Sequence, residues 1–72
     1  MTKLFKLDEM DCAVCAAKAE KKVQKISGVT NATIDFMSQR LCVEAENIDD
    51  ALIKAVEEAV QKVEPDCGVL PL

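Results

Sequence analysis

Cys12 and Cys15 stand in the stretch "LDEMDCAVCAAKAEKK", two residues between them, and Asp11 directly precedes the first. Thiolates are soft anionic donors, so such a pair can chelate a soft or borderline cation, or it can cycle between dithiol and disulfide. The redox reading lacks its usual surroundings, because no aromatic residue flanks the pair, no proline lies between the cysteines and the chain is short for a thioredoxin-type enzyme. Two thiolates nearly satisfy Cu(I), whereas a divalent zinc-group ion prefers about four ligands. Asp11 can supply a third ligand, or it can cap the helix that opens here. The position left over is then open to water, another thiol or a partner's ligand. An incomplete site of this kind suits delivery. A closed four-cysteine site would be structural, and one CxxC pair with two isolated cysteines, Cys42 and Cys67, is poorly spaced for it.

The remaining donors have plainer uses. Met10 carries a soft thioether but is expected to pack under the loop. Met37 belongs to a turn. Cys42 alternates outward between Leu41 and Val43, which puts it on an open sheet face. Cys67 has two readings, packing at the start of a strand or a third sulfur ligand, because its loop approaches the pair. There is no histidine, so a Cys–His nucleophile is excluded and no catalytic residue is expected.

The elements that position the pair follow from hydrophobic period. In "KLFKLD", Phe5 and Leu7 share one face and Leu4 and Lys6 the other, which predicts a half-buried strand. Between 14 and 27, Ala16, Ala19, Val23 and Ile26 recur at helical spacing, and Ser27-Gly28 ends that helix at a left-handed cap. Lys18, Lys21, Lys22 and Lys25 cover its other side as a solvated face that can also steer docking to an acidic partner. "NATIDF" turns Ala32, Ile34 and Phe36 inward, "MSQR" reverses the chain, and "LCVEA" turns Leu41, Val43 and Ala45 inward, which predicts a hairpin. Asn47-Ile48-Asp49-Asp50 starts a second helix with the stripe Leu52, Val56, Ala59, Val60 and Val63. Its glutamates Glu57, Glu58 and Glu64 read as solvated. Pro65 stops the helix, and "DCGVLPL" holds one short edge strand.

The order β-α-β-β-α-β predicts an α+β ferredoxin-like sandwich: a four-stranded antiparallel sheet with both helices on one face, forming a single domain over residues 1–72. In that topology "EMDCAVC", the turn "FMSQ" and the loop "VEPDCG" meet at one end. Composition excludes other classes. A net charge of −4 without tryptophan or tyrosine argues against nucleic acid. No apolar run reaches the ~18–20 residues of a membrane span, so direct membrane insertion is not expected. The N-terminus lacks the apolar core of a signal peptide, so a cytoplasmic location is expected.

The pattern Phe5-x-Leu7-x-x-Met10-x-Cys12-x-x-Cys15, followed by Ser27-Gly28-Val29 and by "ATIDF…LCVEA", resembles the heavy-metal-associated domain of copper chaperones and of the N-terminal segments of metal-exporting P-type ATPases. The resemblance covers essentially the whole chain. Asp11 in "MDCAVC" and the ending "VEPD" are similar to the branch that exports zinc, cadmium and lead. Glu9 departs from the family, which usually has glycine there; if that position needs positive φ, the glutamate adopts it at a steric cost or the loop bends differently.

The resemblance implies a non-catalytic domain that binds Zn(II), Cd(II) or Pb(II) through Asp11, Cys12 and Cys15, with Cys67 as a further candidate, and passes the ion on by ligand exchange. Its partners would be a metal-donor or acceptor protein, or the transporter's own membrane site, and it would act as a monomer. The alternatives are a free-standing Cu(I) chaperone and, from another class, a thiol–disulfide oxidoreductase.

Overall fold

The computed structural model describes residues 1–10 and 12–72. Six elements follow in chain order: β1 (Thr2–Asp8), α1 (Ala13–Gln24), β2 (Val29–Asp35), β3 (Arg40–Ala45), α2 (Asp50–Val63) and β4 (Gly68–Pro71). The strands form one antiparallel sheet in the order β2-β3-β1-β4, with β1 between β3 and β4. This is the expected ferredoxin-like arrangement.

Strand alternation sets the core. Phe5 and Leu7 of β1 and Leu41, Val43 and Ala45 of β3 are buried, whereas Leu4 beside Phe5 is exposed. On the outer face Cys42 is half-buried and lies opposite Leu4 and Thr33, as its alternation predicts. The helices lay Ala16, Ala19 and Val23 of α1 and Leu52, Val56 and Val60 of α2 over the inner face. Each stripe recurs about one turn apart, so a single helical face buries it.

α1 ends earlier than its apolar spacing predicts, at Gln24 rather than near residue 27. The last amides bond three residues back, Lys25 to Lys22 at 3.2 Å and Ile26 to Val23 at 3.1 Å, and this tightening takes the chain out of the helix. Ile26 still packs on the core from the connecting turn. Gly28, at φ 94°, completes the reversal in that turn instead of capping the helix directly. Phe36 likewise lies just beyond β2, half-buried in the turn to β3.

α1 also covers an exposed edge. β2 is the outermost strand on its side, and Glu20 accepts a hydrogen bond from the Ile34 N–H at 2.8 Å while Gln24 donates to the Ala32 carbonyl at 2.8 Å. Those strand groups are thereby occupied, which blocks pairing with another chain.

Asp49 caps α2, its carboxylate accepting from the Leu52 N–H at 2.9 Å. At the other end Glu64 is extended, φ −135° and ψ 92°, in keeping with its place before proline. The Cys67 N–H then bonds the Glu64 carbonyl at 3.0 Å, closing a turn across Pro65 and Asp66 that leads into β4.

Candidate metal centre

The thiol pair sits where β1 has ended and α1 begins. Cys12 is the N-cap of α1, with extended φ −117° and ψ 116°, and its sulfur accepts from the Cys15 N–H at 3.2 Å. Sulfur thus takes the place that a serine or aspartate oxygen usually fills. Cys15 lies in the first turn, which returns its side chain toward the same point. Both residues are half-buried. Asp11 is outside the described residues, and so are both of its expected roles.

The two thiols are unequal. Hydrogen bonding from the Cys15 side chain, and then from its backbone N–H, holds the Cys12 thiol below its ordinary pKa. The same side-chain hydrogen bond pushes Cys15 up, with burial and the neighbouring Cys12 charge adding to the effect and Lys18 opposing it. The directions of the two shifts favour Cys12 over Cys15 as the place of the pair's first negative charge. The positive end of the α1 dipole favours the anion at the cap.

A third group shapes the field. The Glu64 carboxylate adds to the causes that raise the pKa of Cys12, Cys15 and Cys67, behind hydrogen bonding and burial. Helical spacing predicts a solvated position for Glu64, whereas the topology brings "VEPDCG" to this end of the sheet; the proline-directed turn is the signal that places the carboxylate here.

Cys67 lies in the core, 1% exposed, with its S–H donating to the Gly68 carbonyl at 3.6 Å. Burial is the main cause of its raised pKa, and the Asp8 backbone N–H pulls the other way. Among the described residues, no three or more Cys, Asp or Glu side chains gather so as to hold one ion. Cys12 and Cys15 are brought together at the helix N-terminus, while Cys67 packs in the core. Met10 is fully buried under the loop, as expected, and Met37 is exposed.

Glu9 does adopt positive φ, at 64°. Glu9→Gly is accordingly expected to raise the melting temperature of the metal-free protein by a few degrees. Relief of the left-handed conformation is worth about 1–2 kcal/mol, and the extra entropy that glycine loses on folding returns about 0.5–1 kcal/mol. For a domain of this size, about 1 kcal/mol moves the midpoint by roughly 4–8 °C. A lower midpoint in a circular dichroism melt would mean that the glutamate side chain contributes more than its backbone costs.

The heavy-metal-associated domain model matches residues 4–66. No curated protein gives a significant match. Among solved structures, the N-terminal domain of ZntA in its Zn(II) form is 31% identical with a TM-score of 0.77, the alignment covering 97% of this chain and 89% of that one. The Cu(I)-loaded N-terminal domain of a potential copper-translocating P-type ATPase from Bacillus subtilis is 34% identical with a TM-score of 0.78, covering 99% and 88%. The CopZ metallochaperone shares the fold, with a TM-score of 0.75 at 19% identity over 97% of this chain and all of its own. The family match takes in the thiol pair, both helices and three of the four strands. The chain therefore belongs to the heavy-metal-associated domain family, whose members bind and transfer metal ions and are not themselves catalysts.

Proposed function

We propose that this domain, residues 1–72 as one unit, captures a soft or borderline divalent ion through Cys12, Cys15 and Asp11 and hands it on by ligand exchange. Zn(II), Cd(II) and Pb(II) are its preferred cargo, and its context is the cytoplasmic N-terminus of a metal-exporting P-type ATPase. The observation that carries the reading is the pair itself: two half-buried thiols at a helix N-terminus, with the Cys15 N–H donating to the Cys12 sulfur at 3.2 Å.

Capture follows from the inequality of the two thiols. The Cys12 thiolate bonds the arriving ion first, and the ion's charge then lowers the pKa of Cys15, whose proton leaves to solvent as the second sulfur bonds. Two sulfurs and one carboxylate leave a four-coordinate preference unfilled. A donor or acceptor protein, or the transporter's membrane site, enters at that position with its own ligand before either sulfur is released. The ion is never bare, and transfer proceeds one bond at a time. Glu64 supports a divalent cargo, because its charge adds to the negative field at the pair without needing to touch the ion. The domain acts as a monomer here, since a second copy supplying thiols would close the site. Among the described residues no helix is long and apolar enough to cross a membrane.

A free-standing Cu(I) chaperone is the second reading; the 34% identity to the Cu(I)-loaded N-terminal domain of a potential copper-translocating P-type ATPase supports its ion and not its free-standing context. Asp11 separates the two. Two thiolates and a carboxylate leave a divalent ion with one residual negative charge and Cu(I) with two, and a hard oxygen adds little to a copper ion already held by two sulfurs. Asp11→Ala is therefore expected to lower the ratio of Zn(II) to Cu(I) affinity by at least about tenfold, the lower end of the loss that even outer-shell partners cause. Paired chelator competitions under anaerobic reducing conditions give the ratio. An unchanged Zn(II) affinity would reduce Asp11 to a local structural role and make the copper chaperone the better reading.

A further inference from the structure

We infer that Gln39, in the turn between β2 and β3, is the positioning residue of the metal loop, and this rests on the capture reading above. Its main-chain carbonyl accepts from the Leu7 N–H at 2.8 Å, and its side-chain amide donates to the Met10 carbonyl at 2.9 Å. One residue therefore grips the loop on both sides of the strained Glu9, and the second grip falls two residues before Cys12.

The turn that presents Gln39 is itself held. Asp35 accepts from the Met37 and Ser38 N–H groups at 3.0 and 3.3 Å, which winds the turn so that Gln39 arrives at φ 55°. Glycine or asparagine would take that left-handed conformation more readily than glutamine. The choice makes sense through reach: glycine has no amide, and asparagine's amide is one methylene shorter. The main-chain bond to Leu7 would survive any of the three, so hairpin closure does not need a glutamine. The amide serves the Met10 carbonyl, whose own side chain is fully buried and so fixes where the loop starts.

With the chain anchored at Met10 from below and from the side by Gln39, and with Cys12 fixed as the helix cap, the described residues on either side of position 11 are held in place before chelation. Losing the amide bond loosens that hold in the metal-free state. Affinity then falls although no ligand has been touched.

The test uses Gln39→Gly and Gln39→Asn in the whole chain, with Cd(II) as the probe. Both variants are expected to melt within a few degrees of the parent when metal-free, because relief of the left-handed strain offsets the lost hydrogen bond and, in Gln39→Gly, the entropy of glycine, and to keep the Leu7 amide protected from hydrogen exchange. Both are expected to bind Cd(II) about three- to tenfold more weakly, the worth of one hydrogen bond, chiefly through faster release to a chelator. Backbone order parameters at Cys12 in the metal-free protein are expected to fall from the rigid range of about 0.85 toward about 0.6. Parent-like Cd(II) affinity and parent-like order at Cys12 in both variants would overturn the inference. A parent that shows no thiolate-to-Cd(II) absorption would instead overturn the capture reading, and the order parameters would still decide whether Gln39 holds the loop.

Discussion

Serine at either position 12 or 15 is expected to weaken Zn(II) and Cd(II) binding by at least about a hundredfold. A structural zinc site is worth about 10–16 kcal/mol over four ligands, so the loss of one anionic sulfur removes a few kcal/mol, and every 1.4 kcal/mol is tenfold. The fold should survive both changes for reasons specific to each position. Cys12 is the N-cap of α1, and serine caps at least as well, so Cys12→Ser leaves the Cys15 N–H satisfied. Cys15 is only half-buried at the margin of the core. Cys12→Ser is therefore the cleaner experiment: it replaces a metal ligand by a better cap. The measurement is competition against a chelator of known affinity, with a melt of the metal-free protein alongside. Cys42→Ser, on the outer face of the sheet, is the silent control. Cys67→Ser should change packing without reducing thiolate-to-Cd(II) absorption. Parent-like binding by either motif variant would mean the site lies elsewhere, and a clear loss of that absorption in Cys67→Ser would make Cys67 a third sulfur ligand.

Phe5→Ala is expected to lower the melting temperature by about 15–30 °C. Phe5 is 1% exposed in the central strand β1, and its ring belongs to the same buried cluster as the stripes of both helices. Truncating such a residue costs about 3–5 kcal/mol. A core of this size rarely supplies more than about 3–5 kcal/mol in total, so the metal-free variant should sit near its own midpoint at room temperature. Saturating Zn(II) should restore part of the loss, because an ion that prefers the folded chain adds about 4 kcal/mol at a thousand times its dissociation constant. The recovery should fall short of that figure. Cys12 and Cys15 are close in sequence, so the unfolded chain keeps some affinity of its own. Far-ultraviolet circular dichroism melts of parent and variant, with and without metal, read both effects. A variant that melts within a few degrees of the parent would remove Phe5 from the centre of the core. Equal recovery in Phe5→Ala and in Phe5→Ala combined with Cys12→Ser would show that the metal acts away from the pair.

Local period by itself determines most of the architecture. Burial alternates with period two through Phe5 and Leu7 and through Leu41, Val43 and Ala45, and with period near four through Leu52, Val56 and Val60, because each element has one face to hide and its residues announce that face by spacing alone. The thiol pair is equally legible: two cysteines at that separation meet wherever a helix begins between them. Tertiary structure alone decides the rest. The apolar stripe of α1 runs on to Ile26, but the helix stops at Gln24, since a side chain can reach the core from a turn as well as from a helix. Whether Glu9 accepts left-handed backbone depends on what grips the loop around it, and that grip comes from Gln39, whose bond to Met10 spans 29 residues of sequence. Glu64 comes to the thiol end of the sheet because Pro65 turns the chain back to β4, a consequence of where that strand pairs. Cys67 packs in the core at the start of β4, one of the two readings its sequence position allows, and the tertiary structure sets how deep it lies. Hydrophobic spacing is written in neighbouring residues; hydrogen bonds and charges between distant segments exist only once the sheet has brought their loops to one end.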